Sequence, residues 1–189
     1  MASGLINGIP IITDGWLSSA KKIPSRNFNA RPDNEISLLV IHNISLPPKK
    51  FGGEYVEKFF TGQLPVEDDP YFETIKDLEV SSHLYIKRTG EVVQFVSFLE
   101  RAWHAGMSCF NGRNACNDFA VGIELEGADD IPYTDEQYLS LEQVTKVLMN
   151  SYPKITVDRI VGHEHIAPDR KTDPGQAFDW KRFIDSLTR

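Results

Sequence analysis

Residues 38–42 read Leu-Leu-Val-Ile-His, a short continuous run of large aliphatic side chains that ends in a histidine. Such a run is typical of a strand buried on both faces, because a half-exposed strand alternates between apolar and polar side chains. Burial on both faces favours a parallel or mixed sheet that other elements cover. At the end of such a strand, the imidazole of His42 can project from a rigid scaffold into a cleft.

Two further regions predict strands. Residues 83–87 and 91–96 flank a Thr-Gly turn signal, and together they predict a β-hairpin. Residues 121–126 alternate as well, with valine, isoleucine and leucine on one face and Glu124 and Glu126 on the other. The two carboxylates therefore share the polar face of one predicted strand.

Helical patterns lie between and after these strands. Residues 55–60 carry large apolar side chains at helical spacing. Thr134 and Gln137 form a capping-box pattern ahead of a longer amphipathic stretch, and Asp179 can cap a final helix. Residues 101–118 predict a long loop. Strands and helices are thus mixed along the chain, which predicts the α/β class, with a central mixed β-sheet flanked by helices.

Composition limits the classes of function. The chain has 189 residues, 41% hydrophobic and 25% charged, which predicts one soluble domain spanning residues 1–189. A net charge of −7 without a basic block predicts no nucleic-acid partner and no attraction to an anionic membrane. The beginning of the chain does not resemble a signal peptide, and no stretch approaches the roughly 20 apolar residues of a membrane span. We expect a cytoplasmic monomer in which Cys109 and Cys116 are reduced.

The most polar segment is GHEHIAPDRKTDPG at residues 162–175. Its two prolines exclude a long helix, because each lacks a backbone donor and restricts the residue before it. His163 and Asp173, together with His42, would be chemically sufficient for a catalytic zinc site, which typically has three protein ligands. From the residues alone, a metal site and a solvated loop remain alternatives, since no compact metal-binding motif is present.

A series of short motifs spread along the chain distinguishes these alternatives. They are V-I-H-N-I-S-L-P-P at 40–48, F-G-G at 51–53, V-S-S-H at 80–83, R-A-W-H-A-G at 101–106, C-N-D-F at 116–119, G-I-E-L-E-G at 122–127, the segment at 162–175, and F-D-W at 178–180. Together they resemble the zinc-dependent N-acetylmuramoyl-L-alanine amidases of the type-2 amidase family. The resemblance implies the fold that this family shares with phage amidases and peptidoglycan recognition proteins.

Carried over by position, the resemblance also implies the roles of individual residues. One Zn²⁺ per chain would be bound by His42, His163 and Asp173, with Glu124 as the catalytic base and Lys171 facing the charge of the transition state. Glu126 shares the strand face with Glu124 and is a weaker alternative for the base. The expected substrate-binding residues are Asn43, Trp103, His104, Ala105 and Arg113.

The resemblance is greatest to cytoplasmic family members that act in peptidoglycan recycling. It implies hydrolysis of the amide between the lactyl group of 1,6-anhydro-N-acetylmuramic acid and L-alanine in small soluble anhydromuropeptides. Two alternatives remain, a peptidoglycan-binding module without catalysis and an amidase that acts on polymeric cell wall. Glu79 and Ala115 stand where related enzymes carry basic residues, which leaves the binding of the peptide carboxylates open.

Overall fold

A computed structural model describes residues 5–6 and 9–189 and shows an α/β protein. The strands are β1 (Leu5–Ile6), β2 (Ile9–Pro10), β3 (Ile12–Thr13), β4 (Trp16–Leu17), β5 (Lys21–Lys22), β6 (Phe28–Ala30), β7 (Leu38–Ile44), β8 (Leu84–Ile86), β9 (Val92–Gln94), β10 (Glu100–Ala102), β11 (Cys109–Phe110), β12 (Arg113–Asn114), β13 (Ala120–Glu126) and β14 (Ile160–Gly162). The α-helices are α1 (Tyr55–Phe60), α2 (Asp135–Ser151), α3 (His163–Ile166) and α4 (Trp180–Leu187). Short 3₁₀ helices span Val66–Asp68, Phe72–Thr74, Cys116–Asp118 and Val157–Arg159.

One mixed sheet of six strands organises the protein, in the order β14-β7-β13-β8-β9-β5. The first four of these strands run parallel, whereas β9 is antiparallel to β8 and parallel to the edge strand β5. The predicted fold class, a central mixed sheet with flanking helices, is confirmed. Because the carboxyl ends of parallel strands meet at one edge of a sheet, residues that end β7, β13 and β14 lie together.

The register of the parallel strands aligns the polar residues at that edge. Glu124 on β13 is paired with His42 on β7, and Gly162 on β14 is paired with Ile41. His163, the next residue after Gly162, is therefore level with His42. The sheet thus places two imidazoles and a carboxylate in one row across three neighbouring strands.

Helices α2 and α4 cover one face of the sheet. The main hydrophobic core joins them to the alternate residues of the central strands, including Leu39, Ile41, Val121, Ile123 and Leu125. The opposite face of β13, which carries Glu124, is also buried, so all seven residues of this strand are buried. Loops and α1 cover much of that second face, and the polar groups there are only slightly exposed to solvent.

Several locally encoded elements agree with the sequence prediction. The hairpin forms with Leu84 paired to Gln94, and helices α1, α2 and α4 fall where the periodicity placed them. The capping box at the start of α2 is present, since Thr134 Oγ1 accepts a hydrogen bond from the backbone N–H of Gln137 and Gln137 Oε1 accepts one from the backbone N–H of Thr134. Each of these elements is specified by neighbouring residues in the chain.

One expectation was wrong in part. Residues 101–118, predicted as a long loop, contain most of β10, the β11–β12 hairpin and a 3₁₀ helix, because strand partners such as β6 are supplied from far along the chain. Residues 162–175 contain only the one-turn helix α3, which ends before Pro168, in agreement with the prediction that the prolines exclude a long helix. No helix in the described part of the chain has the length and apolar character needed to cross a membrane.

Candidate functional site

Three side chains converge at the carboxyl edge of the sheet. His42 Nδ1 lies 3.0 Å from His163 Nδ1 and 3.0 Å from Asp173 Oδ2, and His163 Nδ1 lies 3.1 Å from the same oxygen. Both imidazoles are buried, and the carboxylate is 14% exposed. Residues more than 120 positions apart in the chain therefore present three potential ligand atoms to one point.

The protonation states at this point suit a cation. Burial lowers the pKa of His42 to about 4, although Asp173 opposes that effect. Burial alone would raise the pKa of Asp173, but its contacts with the His163 and His42 side chains hold it well below its usual value. A neutral imidazole beside an ionised carboxylate is the form in which these groups bind metals.

The acceptors around the two imidazoles support the same conclusion. His163 Nε2 lies 3.1 Å from the carbonyl oxygen of Ala105, which can only accept, so the ring proton belongs on Nε2 and a lone pair on Nδ1. Asp173 Oδ2 is also an acceptor, which leaves His42 Nδ1 to supply at most one hydrogen for two contacts. A cation satisfies all three lone pairs, and this nitrogen and oxygen set suits a divalent metal such as zinc.

Glu124 lies beside this group and is buried. One of its carboxylate oxygens, Oε2, is buried without a hydrogen-bond partner among the described residues. Burial and the nearby charge of Asp173 raise the pKa of Glu124 well above its ordinary value, while Lys171 opposes the shift. A carboxylate in this state holds and releases protons more readily near neutral pH than an exposed glutamate does.

A cavity of about 680 Å³ opens over these groups. His42, Glu124, His163 and Asp173 line its base, and Lys171 lines it as well. Three of the predicted substrate-binding residues, Asn43, Trp103 and His104, also face the cavity. The structure thus brings together every predicted metal and catalytic residue in one space large enough for a small ligand.

Two predicted substrate-binding residues lie elsewhere. Ala105 is fully buried, and its carbonyl oxygen accepts hydrogen bonds from His163 Nε2 and Arg170 Nη2. Arg113 is not among the cavity residues, and its guanidinium instead pairs with Glu35 at 2.9 Å. A direct contact between either side chain and a ligand in the cavity remains a prediction.

Glu126, the weaker alternative for the catalytic base, is bound by two backbone N–H groups. Its carboxylate accepts hydrogen bonds from the backbone N–H groups of Gly52 and Arg88, the latter at 2.9 Å. It is absent from the cavity lining among the described residues. The position of Glu126 therefore suits a structural role, in which it fastens two loops to the end of β13.

Two features of the cavity were not predicted from the sequence. Asp129 accepts hydrogen bonds from Asn43 Nδ2 at 2.8 Å and from Thr172, so it joins the residue after His42 to the loop that carries Asp173. Its place just after a strand at the carboxyl edge is a signal that could have identified it. The other feature is an apolar end, where Phe59 and Phe60 line the cavity, although their spacing predicted only a helix.

Comparison with known proteins gives consistent matches. The family model described as N-acetylmuramoyl-L-alanine amidase (Amidase_2) matches residues 32–176, a region that includes every residue of the metal and catalytic set. A Haemophilus influenzae protein named 1,6-anhydro-N-acetylmuramyl-L-alanine amidase AmpD is 55% identical over 177 residues. That match covers 93% of this chain and 96% of the relative.

Solved structures show the same relationship. A crystal structure of a Se-Met AmpD derivative superposes with a TM-score of 0.91 at 50% identity, covering 94% of this chain and 99% of that chain. An Escherichia coli N-acetylmuramyl-L-alanine amidase, AmiD, in complex with anhydro-N-acetylmuramic acid-L-Ala-D-gamma-Glu-L-Lys, superposes with a TM-score of 0.59 at 26% identity. That match covers 94% of this chain and 65% of the AmiD chain.

Proposed function

The chain belongs to the N-acetylmuramoyl-L-alanine amidase family, and on that premise we propose that it hydrolyses anhydromuropeptides during peptidoglycan recycling. The bond cleaved is the amide between the lactyl group of 1,6-anhydro-N-acetylmuramic acid and L-alanine. One observation carries this proposal. In a chain that is 55% identical to such an amidase, three side-chain atoms that can ligate a metal lie within 4.8 Å of one another beside a buried carboxylate.

The metal in this proposal is one zinc ion per chain, held by His42, His163 and Asp173. When bound, zinc supplies Lewis acidity, which polarises a carbonyl and lowers the pKa of water to about 7. The proton transfers are assigned to a residue of the chain itself. Glu124 takes a proton from the attacking water at Oε2 and returns it to the departing alanine nitrogen, a role that typically contributes about 10²–10⁴-fold.

Lys171 and the cavity walls complete the proposed site. The ammonium of Lys171 faces the negative charge that develops on the carbonyl oxygen. The indole of Trp103 provides a flat apolar surface for the sugar, while Asn43 holds Asp129 and thereby the loop that carries Asp173. The family match over residues 32–176 supports the further proposal that the chain forms one amidase domain.

The decisive experiment incubates the protein with anhydro-muramyl-tripeptide and identifies the products by mass spectrometry. Wild type is expected to release the peptide, to stop when a chelator is added and to resume with zinc. Glu124→Gln is expected to keep zinc but lose about 10²–10⁴-fold in kcat, whereas His42→Ala loses both zinc and turnover. Glu136→Gln, an exposed glutamate on α2, serves as the matched control.

Other outcomes separate the alternatives. Zinc binding without product release would favour a peptidoglycan-binding module, and a strong preference for intact sacculi over the soluble tripeptide would favour action on polymeric wall. Near-normal turnover by Glu124→Gln at saturating substrate would contradict its role as the base. The cytoplasmic location and the monomeric state remain predictions, which cell fractionation and sedimentation equilibrium would test.

A further inference from the structure

His104 lies directly behind one of the proposed metal ligands. Its Nδ1 atom is 2.9 Å from His42 Nε2, and the two rings meet nearly edge to face at an interplanar angle of 85°. The other nitrogen of His42, Nδ1, points to His163 and Asp173. Because a neutral imidazole carries one proton, a lone pair on Nδ1 of His42 requires that the proton sit on Nε2, facing His104.

The second ligand imidazole has an equivalent partner. His163 Nε2 donates to the carbonyl oxygen of Ala105, the residue that follows His104. Consecutive residues therefore receive the outward N–H groups of both imidazoles. This pair is itself held in place, because Asn117 Oδ1 accepts hydrogen bonds from the backbone N–H groups of His104 and Ala105, at 3.2 and 2.8 Å.

Space for the His104 ring is provided by a glycine on the neighbouring strand. A Cβ atom added to Gly122 would lie 2.5 Å from His104 Cγ, a distance that no pair of such atoms tolerates. Gly122 has an ordinary negative φ, so its backbone conformation would accept alanine and only the contact with His104 forbids one. The imidazole thus packs against bare backbone on β13, two residues before Glu124.

The remaining nitrogen of His104 shows that stability alone does not explain this ring. Its Nε2 atom is buried and has no hydrogen-bond partner among the described residues. If Nδ1 accepts the hydrogen bond from His42, Nε2 carries the ring proton, and a buried donor without a partner destabilises the folded protein. We therefore attribute the placement of the His104 ring to the contact that its Nδ1 atom makes with His42.

We propose that His104 is a positioning residue of the metal site, which accepts the His42 Nε2–H and thereby aims the Nδ1 lone pair of His42 at the metal. This inference rests on the proposed function, since it needs a metal at His42, His163 and Asp173. It differs from the role in substrate binding predicted from the sequence, because the effect is present without substrate. Partners of this kind fix the tautomer and orientation of ligand histidines in metal sites.

A matched pair of substitutions tests the proposal. His104→Asn and His104→Leu introduce side chains of the same shape, but only asparagine places an acceptor near the position of Nδ1. The measurement is the zinc dissociation constant of the substrate-free protein, determined by competition with a chelator. We expect His104→Leu to weaken zinc binding about 10–100-fold, and His104→Asn to remain close to wild type. A purely substrate-binding role would leave both constants unchanged.

A second variant displaces the His104 ring without replacing His104 itself. Gly122→Ala is expected to displace the His104 ring and weaken zinc binding as His104→Leu does. Gly53→Ala is the control, because an added Cβ there meets nothing closer than 3.4 Å. Thermal unfolding of the zinc-free variants verifies that each one folds.

The wild-type protein provides a readout that needs no variant. In zinc-loaded protein with ¹⁵N-labelled histidine, we expect two-bond correlation spectra to show His42 protonated at Nε2 and His104 unprotonated at Nδ1. Wild-type zinc affinity in the His104→Leu variant, or a His42 Nε2 without its proton, would overturn this inference and leave the proposed function standing. If the wild type binds no zinc, the proposed function fails as well.

Discussion

The surroundings of Lys171 determine which charges its ammonium group can interact with. It lines the cavity with Glu124 and Asp173, and its positive charge opposes the rise in the pKa of Glu124. Among the described residues, its ammonium has neither an ion-pair nor a hydrogen-bond partner of its own. A partly buried ammonium without a fixed partner is available to negative charge that forms in the cavity.

Replacing Lys171 with methionine tests this role. The variant keeps a similar length and loses the charge, so kcat is expected to fall about 10²–10³-fold, as on removal of one donor to an oxyanion, with a smaller change in KM. Steady-state kinetics with anhydro-muramyl-tripeptide provide the measurement, and Lys154→Met, at an exposed position, is the control. An unchanged kcat would show that Lys171 does not stabilise the transition state.

His83 is expected to affect the stability of the folded protein rather than the reaction. Its ring is fully buried, with Nδ1 accepting the N–H of Gly122 at 3.0 Å and Nε2 lying 3.1 Å from the Glu100 carbonyl oxygen. Burial, and then the positive charge of Arg31, lower the pKa of His83 well below its ordinary value. The folded protein therefore keeps this ring neutral at pH values where the unfolded chain would protonate it.

This difference predicts acid sensitivity. Below about pH 6.5 the unfolded state binds the extra proton, so the free energy of unfolding falls as pH decreases, by up to about 1.4 kcal/mol per pH unit for one histidine. His83→Asn retains an acceptor for Gly122 and is expected to show a shallower slope between pH 7 and 5. Urea unfolding with a chelator present measures both slopes, and equal slopes would exclude His83 as a contributor.

At the scale of elements, α2 is fastened to the sheet by one buried amide. Gln137 Nε2 donates to the carbonyl oxygens of Ile86 and Glu126, at 3.1 and 3.0 Å, while its Oε1 accepts the N–H of Thr134. The first turn of the helix is thereby joined to the ends of β8 and β13. Hydrophobic packing holds the rest of the helix, but this contact determines where it begins relative to the strands.

Loss of that amide is expected to be costly. Gln137→Leu leaves buried backbone groups without their partner, each at about 1–3 kcal/mol, so the free energy of unfolding should fall by at least about 2 kcal/mol. Gln143→Leu, the same change at an exposed position on the same helix, is expected to have little effect. Urea denaturation of the two variants gives the comparison. A loss no larger than that of Gln143→Leu would mean that other contacts position the helix.

At the scale of the whole molecule, the site exists only when the sheet is assembled. His42 and Asp173 lie 131 positions apart, on β7 and on the loop after β14, and they meet because the two strands are neighbours. The unfolded chain does not hold these ligands together. A metal that binds the folded form alone therefore stabilises it in proportion to the logarithm of its concentration.

The consequence is a zinc-dependent melting temperature. Free zinc at 100 times its dissociation constant adds about 2.7 kcal/mol of stability, which corresponds to a rise of roughly 5–10 °C for a chain of this size. Asp173→Asn should abolish most of the shift, whereas Asp169→Asn, an exposed neighbour, should retain it. Calorimetry of the wild type and both variants, with added zinc or with a chelator, measures these melting temperatures. If the melting temperature of the wild type does not change with zinc concentration, zinc does not bind the folded form preferentially, and the predicted link between zinc binding and folding is wrong.

Much of the fold could be predicted because its signals are local. The buried run at residues 38–42, the hairpin around the Thr-Gly turn and the capped helix at Thr134 depend on neighbouring residues, and each formed as expected. The short strand β10 was missed, because its partner β6 lies about 70 positions earlier and two or three residues carry too little periodicity to indicate pairing.

By itself, the sequence determined the chemical inventory of the site, since the motifs around His42, Glu124 and Asp173 supply its imidazoles and carboxylates. Only the tertiary structure decided how these groups are used. Parallel register placed Glu124 level with His42, burial shifted their pKa values, and the fold turned Arg113 towards Glu35 and His104 towards His42. The physical reason is that the residue types are a property of the covalent chain and are present before it folds. Distances between side chains, burial and the direction of a lone pair arise only when folding brings distant segments together.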